Sequence, residues 1–65
     1  MTVTTKRADE LKVGDVYRKD VYWNRVLSHC DMPCRGGTLW LEVKTNGVVA
    51  ITLLNCGEIV EVLTP

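Results

Sequence analysis

The clearest periodicity in the chain runs from Leu39 to Lys44, where Leu39, Leu41 and Val43 alternate with Trp40, Glu42 and Lys44. A period of two is that of a strand with one face in a core and the other in solvent. Thr45-Asn46-Gly47 follows, and then a second apolar run, Val48 to Leu54. Asn-Gly between two such runs predicts a hairpin, because both residues tolerate positive φ. Asn55-Cys56-Gly57 predicts another tight turn, into a strand from Glu58 to Leu63. Upstream, Lys12-Val13-Gly14-Asp15 reads as a turn into a short strand, Val16 to Lys19. Asp20-Val21 reads as a reversal, and Tyr22 to Ser28, rich in aromatic and β-branched residues, as the next strand. Met1 to Arg7 is polar and Thr-rich and is expected to fray or lie along an edge, and Ala8-Asp9-Glu10-Leu11 reads as one helical turn, so that residues 1–10 together are expected to be a flexible N-terminal segment.

Five short strands joined by tight turns, with no helix of useful length, predict an all-β domain over residues 11–65. The expected architecture is a small five-stranded SH3-like barrel, whose closure hides strand edges. Alternation assigns Leu39, Leu41, Val43, Val49, Ile51, Leu53, Val60 and Val62 to the core. Trp40 then points outward, with Ala50, Thr52, Leu54, Ile59 and Leu63 in the same outward set. Centring the hairpin on Asn46 pairs Glu42 with Ala50, Trp40 with Thr52, and Gly36 with Cys56. Cys56 thereby returns to the end of the sheet that holds residues 29–37. An outward Trp40 with Leu54 and Ile59 forms an apolar patch of the kind that marks partner surfaces. The competing reading is that the N-terminal segment covers it.

Composition narrows the function. The 65 residues carry eight basic and eight acidic side chains, and this balance disfavours binding driven mainly by phosphate neutralisation. No apolar run of the roughly 18 residues needed to cross a bilayer occurs, and MTVTTKRADE lacks the apolar segment of a secretory signal. A cytoplasmic, membrane-free protein is the expectation. With three cysteines, an odd number, the default in a reducing compartment is three free thiols.

The stretch "SHCDMPCRGGT" concentrates the candidate chemistry. His29, Cys30, Cys34 and the returning Cys56 form a Cys3His inventory, which suits zinc and makes a zinc-stabilised barrel one alternative. Against it, Cys-x3-Cys is a loose spacing, and adjacent His29 and Cys30 point to opposite faces of an extended chain. The thiols then simply pack as small apolar groups, and no cofactor is needed. A disulfide from Cys56 to either Cys30 or Cys34 is also open geometrically. Catalysis by a thiol needs a base and an orienting third group, and only Asp31 stands near His29. A substrate pocket of about 300 Å³ or more is a large demand on so short a chain. The reading is therefore non-enzymatic. A nucleic-acid-binding barrel remains an alternative, with Tyr22 or Trp23 stacking on bases and Arg18, Lys19, Arg25 and Arg35 meeting the backbone.

Two segments carry a family resemblance. "LKVGDVYRKDVYWNRV" and "PCRGGTLWLEVK" together resemble the first, SH3-like (KOW-type) barrel of elongation factor P. The shared features are a Leu-x-x-Gly opening, an Asp at the first hairpin, an Arg-Val in the second strand and a Pro-to-Gly-Gly loop. Arg35 stands where that family has a modified loop-tip lysine, so the resemblance implies the fold rather than the lysine's role. "RADELKVGDV" and "EIVEVLTP" resemble the opening and ending of small proteins encoded by viruses of actinobacteria. That likeness implies a phage-type accessory protein acting inside the host by binding. The combined expectation is a binding module for a host protein or for itself, with Trp40, Arg35, Leu54 and Ile59 at the contact.

Overall fold

The computed structural model of the chain describes residues 1–30 and 36–64. The strands are β1 (Thr2–Arg7), β2 (Val16–Lys19), β3 (Tyr22–His29), β4 (Thr38–Thr45), β5 (Val48–Asn55) and β6 (Ile59–Thr64). All pairings are antiparallel, in one sheet of order β1-β6-β2-β3-β4-β5. The described residues thus form six strands rather than five. Among the described residues the sheet is not closed, and β1 and β5 are its two edges. No helix of the described residues is long and apolar enough to cross a membrane.

The extra strand comes from the residues expected to be flexible. Thr2 to Arg7 pairs along its whole length with β6, and the β-branched Thr-Val-Thr-Thr run suits an extended edge position. A single 3-10 turn, Ala8–Glu10, then docks on the β5–β6 turn. The Ala8 and Asp9 amides donate to the carbonyls of Glu58 (2.7 Å) and Cys56 (3.2 Å), and Ala8 is fully buried.

The sheet curls so that one face encloses the core. Tyr17, Val26, Leu39, Leu41, Val43, Leu54, Val60 and Val62 fill it, with Ala8, Leu11 and Cys56 at its margins. The curl brings β2 across to β5, although β3 and β4 lie between them. Lys19 Nζ donates to Thr52 Oγ1 (3.3 Å) and to the Leu53 carbonyl (2.9 Å). Asn24 is the one buried polar side chain among the described residues. It donates to the Tyr22 carbonyl (3.2 Å) and accepts from the Thr45 hydroxyl, so burying it costs little.

The β4–β5 register differs from the expectation by one residue. Thr45 faces Val48, with Asn46 (φ 50°) and Gly47 (φ 77°) as a two-residue loop of positive φ. The hairpin is therefore centred between Asn46 and Gly47, not on Asn46. A one-residue slip turns every side chain of a strand over. Val49, Ile51 and Leu53, expected in the core, are exposed, and Leu54, expected outward, is 2% exposed. Cys56 faces Gly37 instead of Gly36, its amide donating to the Gly37 carbonyl (3.1 Å).

Candidate partner-binding surface

The outer face of β4 and β5 is set by the same alternation. Trp40 stands opposite Leu53, Glu42 opposite Ile51, and Lys44 opposite Val49. Trp40 is 46% exposed and Leu53 41%, while Ile51 and Val49 are each 54% exposed. Four large apolar side chains therefore form one stripe down the hairpin, flanked by one acid and one base. Ser28 donates to Glu42 Oε1 (3.3 Å), which fixes that carboxylate beside the stripe. Alternation read from the sequence alone puts three of the four, Val49, Ile51 and Leu53, in the core. An Asn-Gly pair read as a two-residue loop would have found them.

The other residues named from sequence are scattered. Leu54 belongs to the core opposite Leu39 and cannot contact a partner. Ile59 is exposed, but it lies on β6, paired with Arg7 and three strands along the sheet from Trp40. Arg35 and Cys34 lie outside the described residues.

The nucleic-acid set divides between the two faces. Trp23 and Arg18 stand opposite each other on β3 and β2, and Arg25 shares their outer face. Lys19 and Tyr22 form the adjacent pair on the inner side. Arg18 is held by Glu61 (3.8 Å) and by the Asp20 carbonyl (3.0 Å), and Lys19 is bound to β5. Arg25 instead stands opposite Lys44, and neither has an ion-pair partner among the described residues. Two cations facing each other across strands are mutually destabilising.

The metal inventory is not assembled. Among the described residues no three of His, Cys, Asp and Glu converge. Cys30 is free and exposed, whereas Cys56 is disulfide-bonded and buried, which replaces the expectation of three free thiols. Cys30 being free excludes its pairing with Cys56. His29 Nδ1 is buried with no hydrogen-bond partner among the described residues.

Open clefts flank the sheet among the described residues. One, of about 400 Å³, is lined by Arg18, Lys19, Asp20, Glu58, Ile59, Val60 and Glu61. Another, of about 420 Å³, is lined by Met1, Gly14, Val16, Arg25, Leu63 and Thr64. Neither lining holds a thiol, an imidazole or a serine. Comparison with family models, with curated proteins and with solved structures finds no match for this chain.

Proposed function

We propose that the chain is a small, non-enzymatic binding module of the SH3-like type that works without a cofactor. Its partner is a protein, met through Trp40, Leu53, Ile51 and Val49. The phage-type accessory role and the cytoplasmic setting belong to the same proposal and rest on the sequence resemblance. The observation that carries the reading is the stripe itself. Large apolar side chains stand half-exposed in one row on regular strands, where hydration is unfavourable and burial against a partner recovers it.

Nucleic acid is the second reading, favoured by the opposed Arg25 and Lys44 and by Trp23 on the same face. It ranks lower because Arg18 and Lys19 are already engaged within the molecule. Immobilised protein separates the two. An apolar protein contact persists at high salt, survives nuclease and is lost in Trp40→Ala. A complex that dissolves steeply with salt and fails in Arg25→Ala assigns the surface to nucleic acid instead.

A further inference from the structure

The two edges of the sheet are built differently. β1 is polar and carries Lys6 and Arg7, the kind of charge with which natural edges resist further pairing. β5 reads Val-Val-Ala-Ile-Thr-Leu-Leu-Asn, with no charge, no proline and no break in register against β4. From Val48 to Ile51 it is exposed on both faces of the sheet.

The ladder shows which of its main-chain groups are free. The Cys30 amide donates to the Trp40 carbonyl (3.0 Å), so the main chain of Trp40 faces β3. Leu53, opposite Trp40, is then in a non-hydrogen-bonded pair with its groups turned away from β4. Its carbonyl accepts from Lys19 in agreement with this. The same alternation turns the N–H and C=O of Val49 and Ile51 to the open edge.

We propose that this edge pairs with itself. A second copy of the chain adds its β5 antiparallel to the first, across a two-fold axis at Ala50, and two six-stranded sheets become one. The proposal rests on the protein-binding reading and names the partner. A two-fold axis perpendicular to the sheet keeps outer face with outer face, so odd residues must meet odd and even meet even. Centring on Ala50 pairs Val49 with Ile51 of the second copy and Ile51 with its Val49. All four free groups of those two residues are then satisfied, and the Leu53 carbonyl is left to Lys19. Ala50 meets its own counterpart at the closest, non-hydrogen-bonded position, about 4.5 Å between Cα atoms, where a small side chain fits.

Charge agrees with the pairing. β5 carries no charged residue, so no like charges meet across the two-fold axis. Edge pairing covers the free main-chain groups and the flanks of Val48 to Ile51 and leaves Trp40, one strand further in on β4, on the open outer face. So narrow a contact falls below the roughly 1,000 Å² of a specific interface, and the dimer is weak and concentration-dependent.

Sedimentation equilibrium over a wide concentration range tests this, with Ala50→Asp and Ala50→Lys as variants. Ala50 is exposed, so both retain the wild-type circular dichroism and melting. The expected mass of the wild type rises from one chain to two and stops. Each variant stays at one chain, because like charges meet at the axis, and an equimolar mixture of the two dimerises. A wild type that is monomeric throughout or grows past two overturns the proposal, as does a single variant that dimerises or a mixture that does not. If the wild type is monomeric yet a different protein is held in a Trp40-dependent way, self-pairing fails and the protein-binding reading stands. If Ala50→Asp releases that protein, the edge's occupant is the other protein's strand.

Discussion

Tyr17 is fully buried, and its hydroxyl has no hydrogen-bond partner among the described residues. Burial pushes the phenol up to about 12, with the neighbouring Thr52 hydroxyl pulling slightly the other way without meeting it in hydrogen-bonding geometry. A buried, unsatisfied hydroxyl costs stability, so Tyr17→Phe is expected to be as stable as the wild type or more stable by up to about 1 kcal/mol in chemical denaturation. Tyr17→Ala, which empties the space, is expected to lose about 3–5 kcal/mol. Asp15 is the converse case. Burial alone would raise its carboxyl, but the Lys12 amide (2.9 Å) and then the Lys6 ammonium (3.1 Å) outweigh it and hold it below the usual value. Its contribution is therefore present above the unfolded carboxyl value of about 3.9 and is lost as pH falls through the lowered folded value. Melting temperature followed from pH 6 downward should fall less steeply in Asp15→Asn than in the wild type. Cysteine chemistry is checked by alkylation, which should label Cys30 before reduction and Cys56 only after it.

At the level of elements, β4 was fully legible, because strict alternation of Leu39, Leu41 and Val43 with polar or aromatic residues leaves one solution. β5 was not. Its seven residues from Val48 to Leu54 are apolar except for Thr52, so either face could be the inner one. Only the turn decides, and its centre lies between Asn46 and Gly47, half a residue beyond Asn46. The slip had consequences, since it moved Leu54 from surface to core and took Val49, Ile51 and Leu53 the other way. The register is testable by truncation. Leu54→Ala should cost about 2–5 kcal/mol, and Leu53→Ala less than about 1, in chemical denaturation. A larger loss at Leu53 would restore the other register. β1 was illegible for a different reason: its partner is the last strand of the chain, and an edge strand of threonines has no buried face to announce it.

For the whole molecule, the decisive asymmetry is between a charged edge at β1 and an apolar, uncharged edge at β5. A sheet that curled fully shut would hide both. Here the curl stops where Lys19 reaches Thr52 and Leu53, which leaves the first half of β5 beyond the covered region. The proposed partner surface starts at that point, and of its four apolar residues the sequence makes only Trp40 legible as outward. The most direct measurement is amide hydrogen exchange along β5, first in dilute protein and then in the associated state. In dilute protein, Val49 and Ile51 should exchange fast while Ala50 and Thr52, bonded to β4, are protected; on association Val49 and Ile51 should slow. Amides of Val49 and Ile51 already protected in the dilute monomer, or unchanged when a partner is bound, would contradict the assignment of this edge.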